Sequence, residues 1–278
     1  SDDGTFNNGD RLFDREALLY VNGAFGELGM GRQGDLASGN GRYGLFGGKV
    51  SPFSTGWSDI AGHKYVMGAG FGRMDNSVTY KTPTFAGFNV LAQYSFKKDS
   101  TEEGREGSSA VNRQYALGAS FTAGDLYLTG IVTQTNVDSL GNKDVEDPLT
   151  VSLGGNYNFG VAKLYVAGQY FKDSDLAVKQ IDRYDADAKT GYQKGEQFNG
   201  FGLSVGADVP AFGGTAKVLV GYMDAEDQAA EKAQDLQRYT FSVGYEYPLS
   251  KRTFVYGGAG YYVDSYDKVE AGCDDKAS

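Results

Sequence analysis

Apolar residues alternate with small or polar ones along nearly the whole chain. From Val151 to Phe159 one face reads Val151, Leu153, Gly155, Tyr157 and Phe159, and the other reads Ser152, Gly154, Asn156 and Asn158. A period of two puts successive side chains on opposite faces of a strand, so one face is apolar and the other small and polar. Residues 239–247 repeat the rhythm, with Tyr239, Phe241, Val243, Tyr245 and Tyr247 against Thr240, Ser242, Gly244 and Glu246. The pattern predicts twelve strands, near residues 15–23, 26–33, 76–82, 87–97, 113–122, 125–135, 150–159, 162–172, 199–209, 214–224, 237–247 and 252–264. Only residues 225–236, AEDQAAEKAQDL, are good helix formers, and they predict a helix in the loop between two strands.

Connection lengths alternate as the side chains do. Short turns fall at Ala24-Phe25, Pro83 to Ala86, Ala123-Gly124, Gly160-Val161, Pro210 to Gly213 and Pro248 to Lys251. Long polar loops occupy 34–75, 98–112, 136–149, 173–198, 225–236 and 265 onward. A soluble sandwich has no reason to gather its long loops at one end, whereas outer-membrane barrels pair short periplasmic turns with long extracellular loops. Aromatic residues near strand ends, such as Phe85, Phe88, Tyr94 and Phe96, suit girdles at the two headgroup levels. Ordinary cross-strand packing would also place them there. The fold class is all-β, an antiparallel transmembrane β-barrel.

Composition narrows the choices further. The 278 residues fit a single domain over 1–278, with 41 Gly, 5 Pro and 14% aromatics suiting many strands joined by turns. A net charge of -10 argues against a nucleic-acid partner, which needs clustered Lys and Arg, and against a basic lipid-binding patch. A mean hydropathy of -0.42 and the lack of a long apolar run exclude a transmembrane helix. They leave a barrel open, because only alternate residues face lipid. The chain opens on Ser1 in mid-pattern, so the lack of a signal peptide is uninformative.

No constellation for catalysis is present, and no cofactor or metal is expected. His63 is the single histidine and has no nucleophile elbow beside it, which makes it a solvated or structural loop residue. Cys273 has no second cysteine or nearby histidine to share a zinc ion. DRYDADAKTG, residues 182–191, lacks the ligand spacing and terminal Glu of a calcium loop. Acids such as Asp173, Asp175, Asp182, Asp185 and Asp187 face solvent or hold divalent cations loosely.

Three segments carry a resemblance. RLFDREALLYVNGAFGELGMGRQ (11–33), GFGRMDNSVTYKTPTFAGFNVLAQYSF (70–96) and YEYPLSKRTFVYGGAGYYVD (245–264) resemble, in order, hairpins of the general porins of Gram-negative bacteria. The resemblance implies a sixteen-stranded barrel in the outer membrane. It implies a homotrimer in contact with outer-membrane lipid, whose partners are the small hydrophilic solutes and ions that diffuse through it. Against that pattern the sequence begins at the fourth strand and stops in the last loop, so it is expected to be a porin fragment.

In such porins an extracellular loop folds into the lumen, and here the matching loop is residues 34–75. Pro52, Phe53 and Trp57 are bulky enough to pack it against a wall, and Asp35 and Asp59 are its main acids before Asp75. By resemblance Arg15 and Arg73 fall on wall positions and Arg32 just before the loop, with Arg42, Lys49 and Lys64 as further basic groups of the constriction. Several of these would otherwise be solvated loop charges. Pro52 is followed by Phe53, Ser54 and Thr55, where family members commonly carry an acid, so a weak preference for anions is expected. Two other readings stay open: a substrate-selective channel, such as a sugar channel with an aromatic path, and a soluble β-rich binding or adhesion module.

Overall fold

The computed structural model describes residues 13–39, 41–53, 57, 60–101, 104–106, 111–137, 145–178, 197–228 and 234–268. The strands are β1 (Ala17–Gly23), β2 (Gly26–Gly34), β3 (Arg73–Lys81), β4 (Phe88–Ser95), β5 (Arg113–Ala123), β6 (Leu126–Asn136), β7 (Leu149–Asn158), β8 (Lys163–Ser174), β9 (Phe198–Ala211), β10 (Gly214–Asp227), β11 (Gln234–Ser250) and β12 (Thr253–Lys268). They form one twelve-stranded sheet in sequence order, so every strand pairs with its chain neighbour. Each of those pairs is antiparallel, as short hairpin connections require.

All six short turns join strands at one end of the sheet. The link from β9 to β10 is a two-residue turn in which Phe212 (φ 50°) and Gly213 (φ 80°) both take the left-handed conformation. A type I′ turn needs that backbone, and its twist matches the strands it joins.

Burial along the strands is inverted relative to a soluble protein. Leu153 is 62% exposed and Leu203 53%, while Ser152 and Ser204, their chain neighbours, are 1% and 3% exposed. Leu117, Val166, Val220 and Phe241 continue the exposed apolar face, and Gln114, Thr133, Gln169 and Ser242 the buried polar one. A membrane barrel demands this arrangement, because its outer face meets lipid and its inner face meets water and the chain's own loops. The apolar band ends in aromatic contacts, such as Phe88 with Phe121 (4.4 Å between ring centroids) towards the short turns and Tyr94 with Phe96 (4.7 Å) towards the long loops.

One expectation is overturned. Residues 225–227 belong to β10 and 234–236 to β11, with Ala225 paired to Leu236, where a loop helix was predicted. Ala225 and Leu236 are fully buried in a cluster with Met223 and Phe198, and the ladder continues through Asp227 opposite Phe198. That packing outweighs a helix preference of a few tenths of a kcal/mol per residue. Residues 229–233 lie outside the described residues, as do 182–191, Asp59 and Cys273.

Candidate functional site

The long connection between β2 and β3 does not project outward; it lies on the inner face of the sheet. Its two ends are tied at a neck, where the Asp35 amide donates to the Gly72 carbonyl at 3.2 Å. The Asp35 carboxylate accepts from the Gly72 amide at 3.1 Å and from Gln114 Nε2 at 3.1 Å. Asp35 is 1% exposed, so this acid closes the neck of the loop and is withdrawn from the lumen.

From the neck the loop follows a track of wall glycines. A Cβ at Gly118 of β5 would come within 2.8 Å of Leu45, one at Gly154 of β7 within 2.8 Å of Val50, and one at Gly206 of β9 within 2.6 Å of Pro52. Phe53 and Trp57 then lie over Gly244 of β11, and Trp57 reaches Gly258 and Tyr256 of β12, its ring centroid 4.6 Å from that of Tyr256. Returning, the Ala61 carbonyl accepts from Ser242 Oγ at 2.8 Å, and Val66 packs over Gly221 of β10. Gly68 finally bridges to Leu176 beyond β8. The small inner-face residues of the sequence pattern are thus the bed on which the loop lies, because a side chain there would occupy the loop's own volume. Pro52, Phe53 and Trp57 pack against β9, β11 and β12.

The basic residues separate into three groups. Arg32 donates to Asp75 at 2.6 Å and to Asp14 at 2.8 Å, which neutralises it. It alternates with the exposed Met30 and lies off the face that carries the loop. Arg42 grips Glu27 through two bonds of 2.5 and 2.7 Å, lies 3.9 Å over the Tyr20 ring, and its amide donates to Glu16. The bonded Glu27 carboxylate raises its pKa further. Lys49, by contrast, bonds only the Gly44 carbonyl among the described residues, at 3.0 Å. Desolvation between loop and wall, and then the nearby Lys81 ammonium, lower its pKa.

Arg15 is exposed ahead of β1. Arg73 opens β3 with its Nε buried and, among the described residues, without a hydrogen-bond partner. Lys64 is half-buried in the 3-10 turn His63–Val66. His63 beside it is 5% exposed between Phe46 and Phe71, and burial lowers its pKa to about 4, so it is a neutral packing residue.

Sequence reasoning missed Glu16, Glu27, Lys81, Lys163 and Arg238. Lys163 shares the alternation of the buried Tyr165 and Ala167, and Lys81 that of the buried Ser77 and Thr79. Counting by twos inward from each short turn would have found both. Arg238 is fully buried; it donates to Asp264, to the Tyr65 carbonyl at 3.1 Å and to the Val178 carbonyl at 2.9 Å.

A sheet that exposes its apolar face, buries its polar face and holds a long loop against the inside is built as an outer-membrane β-barrel of the porin class. The family description Gram-negative porin matches residues 2–267, and the chain belongs to that family. Its members are channel proteins, so the chain is no enzyme, and its place is the outer membrane of a Gram-negative bacterium.

The chain is 28% identical over 271 residues to an outer membrane porin protein of Bordetella pertussis, across 90% of this chain and 67% of that one. It is 29% identical over 254 residues to outer membrane porin protein 32 of Delftia acidovorans, across 90% and 63%. The chain therefore spans about two thirds of the length of these curated relatives. Among solved structures it resembles an anion-selective porin from Comamonas acidovorans, with TM-score 0.58 and 23% identity across 91% of this chain and 68% of that one. A porin refined at 1.8 Å gives TM-score 0.60 and 17% identity across 88% and 75%.

Proposed function

We propose that the chain supplies the wall and the constriction of a water-filled channel through which small hydrophilic solutes and ions diffuse passively, with a weak preference for anions. The observation that carries the reading is the course of residues 35–72 along the inner face, from Gly118 on β5 to Trp57 against β12. A loop held there narrows the lumen, and the narrowest section sets selectivity. The polar inner face, with Ser152, Gln169, Ser204 and Ser242, fits a water-filled lumen.

The charge balance at the loop supports the anion preference. Asp35 is spent on the neck, Arg32 and Arg42 are paired, and Lys49, Lys81 and Lys163 have no ion pair among the described residues. The anion-selective structural relative points the same way. The reading includes a homotrimer, which crosslinking in mild detergent checks. Reversal potentials across a KCl gradient in planar bilayers test the preference: the expected sign is chloride over potassium, and potassium over chloride would refute it.

A further inference from the structure

Between the loop and the ends of β3 to β8 nearest the short turns lies a cavity of about 500 Å³. That falls within the range of small-molecule sites, roughly 300–1,000 Å³. Lys49 reaches it from the loop, Lys81 from the end of β3 and Lys163 from the start of β8. Ser120, Thr122 and Asn158 add neutral hydrogen-bonding groups.

The charge is mainly positive: Glu27 stands across the ladder from Lys81, but its carboxylate is taken by Arg42. Arg42 also lines the cavity but is held by Glu27. Asp208, across the ladder from Lys163, is occupied by Lys217 at 3.1 Å and the Tyr165 hydroxyl at 2.8 Å. Asp125 is the one carboxylate among the lining residues, against three lysines without an ion pair among the described residues.

We infer that this cavity is a binding site for compact polyanions carrying two or three carboxylate or phosphate groups. Three ammonium groups entering from separate elements meet a multiply charged solute from several sides, which a monovalent ion cannot exploit. Lysine is a point charge with rotatable donors and imposes no planar fork, so the site selects charge number over one group geometry. A solute crossing the constriction pauses here, on the side of the short turns, and flux of such solutes saturates. The inference rests on the channel reading, yet binding can be read without conduction.

The test adds citrate, pyrophosphate or acetate to planar bilayers holding the protein and follows KCl conductance. Half-block by citrate or pyrophosphate is expected at a concentration about tenfold or more below that of acetate. Lys81→Gln and Lys163→Gln should each raise it about threefold. Block by citrate alone identifies the carboxylate class, and block by pyrophosphate alone the phosphate class. Equal potency of all three anions, or wild-type block retained in both variants, overturns the site. Chloride preference without polyanion block leaves the channel reading standing and removes only the site. Calorimetric titration of the detergent-solubilised protein with pyrophosphate gives the second readout: heat of binding lost in the variants supports the site even without conductance, and no heat refutes it.

Discussion

Arg238 on β11 holds Asp264 on β12 through two bonds of 2.6 and 2.8 Å, with no solvent exposure of its own. Its remaining donors reach the Tyr65 carbonyl of the loop and the Val178 carbonyl beyond β8. One guanidinium therefore pins three segments that are distant in sequence. Removing one partner of a buried pair leaves an uncompensated charge and costs about 3–5 kcal/mol. Arg238→Gln is expected to lower the temperature of the unfolded-band shift on gels and to raise open-channel noise. Arg238→Lys should recover little of either, since an ammonium cannot reproduce the planar fork.

The glycine track makes a graded prediction. A Cβ on Gly202 would overlap the Val66 backbone carbonyl, whereas one on Gly154 meets the Val50 side chain at 2.8 Å and the Val166 carbonyl no closer than 3.2 Å. Side chains yield more readily than backbone, and overpacking costs roughly 1–3 kcal/mol when it cannot be relieved. Gly202→Ala should displace the loop and change single-channel conductance markedly, with Gly154→Ala close to wild type. The reverse order would contradict the path of the loop.

His63 gives stability a pH dependence. Its pKa in the folded protein lies near 4, below the ordinary value of 6.5, because burial between Phe46 and Phe71 disfavours the charged ring. Between these values the unfolded chain binds the extra proton, so stability falls as pH drops from about 6.5 to 4 and this contribution levels off below. The full span corresponds to about 3 kcal/mol. Chemical denaturation at pH 7 and pH 5 should show the loss in wild type and a much smaller one in His63→Leu. An unchanged pH slope in the variant would exclude His63 as its source.

The strands were legible because the period of two is visible wherever one face meets lipid: Leu153 and Ser152, or Phe241 and Ser242, differ as the two environments do. The loop was legible by length and by Pro52, Phe53 and Trp57. The face of Arg73 was not, because β3 carries one extra residue. Gly31 pairs with Ser77 but Gln33 with Met74, and Asn76 takes φ 47°, so counting by twos back from Ser77 reverses at the bulge. Residues 225–236 misled for another reason. Local propensity favours a helix there, while the inside positions of Ala225 and Leu236 are set by packing with Phe171 and Phe198, which are remote in sequence.

Lipid contact is testable at the middle of β7. Leu153 is exposed on the apolar face, and a Lys at the bilayer midplane costs roughly 2–4 kcal/mol. Leu153→Lys should therefore destabilise the protein in lipid vesicles by that order, measured by urea titration. A change near zero would contradict a lipid-facing position for Leu153.

The loop's place inside a conducting lumen is tested most directly at Lys49, which lines the cavity beside it. In a Cys273→Ser background, Lys49→Cys channels in planar bilayers are exposed to a small sulfonate-bearing thiol reagent, added to either side in turn. An irreversible step down in conductance from both sides, absent from Cys273→Ser alone, is the expected result. Ohmic steps that the reagent leaves unchanged, or a protein that never conducts, would contradict a channel constricted by residues 35–72.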